Sequence, residues 1–107
     1  MDIPEIDVDE LATQRAAGAR VFDVREPDEY EAGHVPGAVP VPLATVPDQV
    51  GLFPSDGPVY VICAAGGRSM RACEFLRAQG VDAINIAGGT RAWITAGHAV
   101  ATGAELG

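Results

Sequence analysis

No lysine occurs anywhere in the 107 residues, and the seven basic side chains are all arginine. Schiff-base chemistry and a lysine general base are therefore excluded. Cysteine is nearly as scarce. Cys63 and Cys73 are too few for a disulfide framework or a four-cysteine zinc site. His34 and His98 stand far from both cysteines in sequence and show no ligand spacing, so no metal is expected. Aromatic residues make up 6% of the chain, which leaves a mainly aliphatic core. No apolar run approaches the roughly 20 residues that span a bilayer. The opening stretch MDIPEIDVDE is acidic and lacks the basic and apolar regions of a signal peptide, so a cytoplasmic location is expected.

What is present is acid, unevenly placed. The net charge of −8 argues against nucleic acid and anionic membranes as partners. Residues 1–58 carry twelve Asp and Glu against three Arg, whereas residues 59–107 carry three acids against four Arg. The second half is the one that can tolerate an anion. With 48% apolar residues, no repeat and no linker, residues 1–107 are expected to form a single domain with its own core.

Strand and helix signals alternate along the chain. Asp7 followed by Glu10 predicts a capping box, with a helix through Leu11 and Ala12 that stops near Gly18. Val21–Val24 is a buried strand, and Pro27 opens a short helical turn through Tyr30. Three prolines and two glycines within 33–42 predict an extended loop with at most a short strand. A short helix is expected over Val46–Val50. Val59–Ile62 gives the strongest strand signal, after the turn Ser55-Asp56-Gly57-Pro58. Ser69–Gln79 favours helix with Gly80 as its stop, Ala83–Ile86 a strand, and Trp93 and Ile94 a last helix ended by Gly97. Strand runs that are apolar throughout indicate an α/β fold with a parallel sheet covered on both faces. Sites in such sheets lie at the carboxyl ends of strands, where Cys63 falls.

The segment Cys63-Ala64-Ala65-Gly66-Gly67-Arg68-Ser69 thus runs from a strand end into a helix. Gly66 and Gly67 can take positive φ and turn backbone N–H groups inward as an anion-binding nest. The helix start adds unpaired amides and the positive end of its dipole. A thiol facing that field ionises more readily, and the thiolate is the nucleophile. Arg68 can serve an oxyanion or brace the loop, and Ser69 can cap the helix or donate to the sulfur. The segment alone equally fits a buried cysteine before a flexible turn.

Three segments in order carry a resemblance: DVREPDEYEAGHVPGAVPVPL (residues 23–43), CAAGGRS (63–69) and NIAGGTRAWITAGHAV (85–100). Together they resemble the rhodanese family of sulfurtransferases, over nearly the whole chain from Asp7 to Val100. The resemblance implies a five-stranded parallel sheet with helices on both faces. It implies that Cys63 accepts sulfur as a persulfide, that the amides of residues 64–68 cradle it, and that Arg68 closes the loop. No cofactor is implied beyond that covalent intermediate. The partners implied are a small-molecule sulfur donor such as thiosulfate and a thiol acceptor, or a sulfur-relay protein. Asp23 and Arg25 match the first signature and are expected to brace the loops beside the site. His34 is expected to be a hydrogen-bonded structural residue, Trp93 a packing residue, His98 an exposed one, and Cys73 a helix-packing one rather than a resolving thiol. Arg71 and Arg91 are read as ordinary solvated arginines in preference to residues lining the approach to the site.

Loop length separates the relatives. Cysteine-dependent phosphatases and rhodanese-like arsenate reductases place five residues between cysteine and arginine, and this chain has four. The smaller ring suits one sulfur atom better than a tetrahedral oxyanion. A non-catalytic binding module is the alternative from another class, although inactive members usually lack the cysteine. Ala64 and Ala65 stand where many rhodaneses have charged or hydrogen-bonding side chains, so the cradle relies on amides and Arg68. That leaves the donor open, with a protein persulfide alongside thiosulfate. The loop also differs from the C-G-x-G-V-T type associated with mercaptopyruvate.

Overall fold

A computed structural model describes residues 2–105. Five strands, β1 Glu5–Ile6, β2 Arg20–Asp23, β3 Val39–Pro40, β4 Val59–Ile62 and β5 Ala83–Ile86, form one sheet in the order β1-β5-β4-β2-β3. Every pairing is parallel. Four helices connect and cover it: α1 Val8–Ala16, α2 Pro27–Ala32, α3 Gly67–Ala78 and α4 Gly89–Thr95.

Alternation along β4 explains why both faces need cover. Val59, Val61 and Cys63 join one apolar cluster with Phe22, Phe53, Cys73 and Leu76, on the side of α3. Tyr60 and Ile62 join the other with Leu11, Tyr30 and Trp93, on the side of α1, α2 and α4. Leu11 and Leu76 are fully buried on opposite faces; each contributes about 2 kcal/mol of transfer free energy to holding its helix down.

Asp7 caps α1 by accepting from the Glu10 amide at 2.9 Å. The reciprocal half of the box is absent, because Glu10 instead accepts from the Gln14 side chain one turn on. Three other expectations need correction. Strand β1 was not anticipated; it is an edge strand that pairs through its backbone and carries no apolar run. The helix expected over Val46–Val50 is two 3-10 turns, Leu43–Asp48 and Val50–Leu52. Pro47 lies inside the first and lacks the N–H that an α-helix would need there. Finally, α3 begins at Gly67 instead of Ser69, with Gly66 as its N-cap. Among the described residues no helix is long and apolar enough to cross a membrane.

Candidate active site

Cys63 directly follows Ile62, the last residue of β4, and so stands at the carboxyl end of the central strand. The Gly66 N–H donates to Cys63 Sγ at 3.1 Å and the Ser69 hydroxyl donates at 3.2 Å. Burial alone would raise the thiol's pKa. The Ser69 hydroxyl and the backbone N–H groups of Ser69, Gly66 and Ala65 outweigh it, so the net shift is downward. Only one of the two glycines makes the turn: Gly66 has φ +111°, whereas Gly67 is an ordinary first helical residue. Ser69 sits within the first turn of α3, so it serves the sulfur and does not cap the helix.

Arg68 braces the loop across the fold. Its guanidinium grips Glu29 of α2 with two hydrogen bonds, Nη1 to Oε1 at 2.7 Å and Nη2 to Oε2 at 2.9 Å. Glu29 is itself placed by accepting from the Glu26 N–H at 3.0 Å. Asp23 and Arg25 form a second, buried pair joined through Nη2 and Oδ2 at 2.8 Å. Arg25 Nη2 also donates to the Gly33 carbonyl at 2.8 Å, tying the end of β2 to the segment after α2.

The Arg68 hydrogen bonds, with the Glu26 amide, pull the Glu29 carboxyl from the usual 4.5 down to about 2. Folded Glu29 therefore refuses a proton that the unfolded chain accepts below pH 4.5. The stabilisation is complete above that pH and is lost as pH falls toward about 2. Urea unfolding across this window is expected to show a steeper acid loss for the wild type than for Glu29→Gln. Parallel acid limbs would show that the pair contributes nothing to the fold.

Two supports lie within the segment 85–100, where the sequence alone assigns no role in holding the loop. Asn85 is buried on β5, and its Nδ2 donates to the Gly66 carbonyl at 3.2 Å and to Glu5 Oε2 on β1 at 2.8 Å. Both partners are acceptors, which fixes the amide's orientation. Asn85 thus holds the carbonyl side of the same residue whose N–H faces the sulfur. Helix α4 supplies the other support. The Thr90 N–H and hydroxyl donate to the Cys63 carbonyl at 2.8 and 3.0 Å, and the Arg91 N–H donates to the Ala64 carbonyl at 3.0 Å.

The remaining residues have clear places. His34 is buried and stacked on Tyr30 with ring centroids 3.7 Å apart, its Nδ1 2.8 Å from the Tyr30 carbonyl. Trp93 is buried and donates from Nε1 to the Ala99 carbonyl at 2.7 Å. His98 departs from expectation: it is half-buried, packs on Trp93, and bonds Asp9 Oδ1 at 2.8 Å. Cys73 is buried under α3, and burial pushes its thiol up to about 12, so it stays protonated and packs. Arg71 is exposed, whereas Arg91 lines a cavity that touches the cysteine loop at Ala64. That cavity measures about 260 Å³ and is bordered by Arg25, Glu29, Ala64, Arg91 and Ile94. A larger hollow, about 460 Å³, lies among Arg20, Gly37 and Leu52 and includes no residue of the cysteine loop.

Residues 7–96 match the family model described as a rhodanese-like domain. A protein of Allochromatium vinosum named a sulfurtransferase is 34% identical over 94 residues, covering 85% of this chain and 88% of its own length. A thiosulfate sulfurtransferase of Pseudomonas entomophila is 33% identical over 93 residues, covering 86% and 85%. The crystal structure of a rhodanese-like domain protein from Staphylococcus aureus superposes with a TM-score of 0.85 at 33% identity, over 94% of this chain and 98% of that one.

Proposed function

The chain belongs to the rhodanese-like domain family, and on that footing we propose that it is a sulfurtransferase carrying a sulfane sulfur as a persulfide on Cys63. The observation that carries this reading is the cradle itself. It is a thiol at the end of the central strand, hydrogen-bonded by Gly66 and Ser69 and held below the usual thiol pKa.

In the first half-reaction the Cys63 thiolate attacks the outer sulfur of thiosulfate. The sulfur–sulfur bond of the donor breaks, sulfite leaves with its electron pair, and a Cys63 persulfide remains with its charge facing the same N–H groups. In the second, an acceptor thiol attacks the outer sulfur and Cys63 departs as thiolate. The thiol's proton ends on the persulfide so formed. No general base is assigned, because the cradle lowers the thiol's pKa and steadies negative charge in both states. No cofactor enters. Four residues between Cys63 and Arg68 support sulfur over phosphate, since each added residue widens the ring. A protein persulfide is a second source of the same sulfur, and the cytoplasm is a compatible setting.

Intact mass spectrometry tests the reading. After thiosulfate or another sulfane donor, the wild-type chain is expected to gain one sulfur, about 32 Da, and to lose it on adding cyanide. A mass that stays unchanged with every donor would overturn it.

A further inference from the structure

We propose that Arg91 and Ile94 form an acceptor subsite beside the cysteine loop, selecting small thiols that carry a carboxylate. This rests on the sulfurtransferase reading and names the acceptor that such a site prefers.

The placement of Arg91 is fixed by backbone contacts. Its N–H is bonded to the carbonyl of Ala64, the first residue after the nucleophile, so its side chain leaves α4 at the edge of the loop. Ile94 follows one turn later, on the same side of the helix, and both border the cavity at Ala64. Ile94 is 51% exposed.

Charge around this cavity singles out one residue. Arg25 is neutralised by Asp23, and Arg68 by Glu29. Glu29 is the only acid among the lining residues, and its two oxygens are both engaged by Arg68. Arg91 lines the same cavity, is exposed, and forms no ion pair among the described residues. It is the one cation there left to meet an incoming charge. The loop cannot take that part, because Ala64 and Ala65 carry only methyl groups, the Ser69 hydroxyl is bonded to the sulfur, and Arg68 is held by Glu29. An acceptor entering from this cavity meets the cysteine loop at Ala64. A carboxylate a few bonds from its thiol then falls to the guanidinium, and the intervening methylenes fall to Ile94. A cationic thiol meets repulsion at the same point, within a chain whose net charge of −8 would otherwise attract it.

The experiment compares 3-mercaptopropionate with cysteamine as acceptors, under saturating thiosulfate. In a double displacement, kcat/KM for the acceptor reports the second half-reaction alone, and comparing variants cancels the intrinsic reactivities of the two thiols. In Arg91→Glu the anionic-to-cationic ratio is expected to fall about tenfold or more relative to wild type, with Arg91→Gln intermediate. The difference among the three proteins should shrink in about 0.5 M salt, as screening requires. Should Arg91→Glu fail to fold, Arg91→Gln alone decides. A ratio within about twofold of wild type in the variants, with persulfide loading intact, would overturn the subsite and leave the sulfurtransferase reading standing. Absence of persulfide on the wild type from any sulfane donor would overturn both.

Discussion

Cys63→Ser is expected to abolish persulfide formation and turnover, a loss beyond about a thousandfold, while leaving the fold in place. The reasons lie in the cradle's strength. Donors from Gly66 and Ser69 suffice to bring a thiol below its usual range against the opposing effect of burial. A serine hydroxyl starts so much higher that the same few hydrogen bonds leave it protonated, and a protonated oxygen does not displace sulfite. The fold survives because the new hydroxyl has the same partners at hand, the Gly66 N–H and the Ser69 hydroxyl. Alkylation supplies the readout. One fast-reacting thiol per chain is expected in the wild type, with a midpoint below that of a free thiol, and none in Cys63→Ser. Cys73 does not confuse the count, because burial holds it near 12. Retained fast labelling in the variant would place the reactive thiol elsewhere.

Gly89→Ala is expected to damage both stability and turnover, although the residue touches no reacting atom. A Cβ at this position would lie 2.5 Å from the Cys63 carbonyl oxygen and 2.6 Å from that of Ala64. Both obstacles are backbone, so neither can rotate aside. The residue's φ of +61° adds about 1 kcal/mol of strain for alanine. Relief requires lifting α4 from the loop, which sacrifices the bonds from Thr90 and Arg91 to the Cys63 and Ala64 carbonyls. Strain and lost hydrogen bonds together suggest about 3 kcal/mol of destabilisation. In the folded fraction, a displacement of the nucleophile near 1 Å costs about a hundredfold in turnover. Gly67→Ala is the control: nothing lies within 4 Å of its added Cβ and its φ is unremarkable, so it is expected to be neutral in both assays. Equal effects from the two substitutions would show that close approach at Gly89 is not the cause.

The parts of this fold that could be read from the sequence are those whose stability is local. Val59–Ile62 is buried on both faces and therefore apolar at every position, which marks it as a strand without reference to its neighbours. The α3 residues carry their own helix preference and their own stop. Glu5–Ile6 has neither, because an edge strand of two residues is defined by what it pairs with, and its partner Asn85 is 80 residues away. The same distinction runs through the site. The nucleophile, its glycine turn and Ser69 are neighbours in sequence, and local geometry was enough to offer a hydrogen bond from Ser69 to sulfur as one of two roles, the other being a helix cap. Glu29 lay inside the first signature, yet no local feature showed that it would receive Arg68 from 39 residues away. Arg91 was open to both readings, solvated or lining the approach, because its proximity to Ala64 exists only once β5 lies beside β4.

Those long contacts also set when Cys63 acquires its chemistry during folding. The Gly66 turn is secured through Asn85, and Asn85 through Glu5, so the support spans nearly the whole chain. A parallel sheet closes such loops late, after their entropy has been lost. On the ribosome, Glu5 emerges long before Asn85 exists to meet it, and through that interval the Gly66 carbonyl lacks its Asn85 partner. The speed of Cys63 labelling during refolding is therefore expected to track the last step of assembly, when Asn85 meets Gly66 and Glu5.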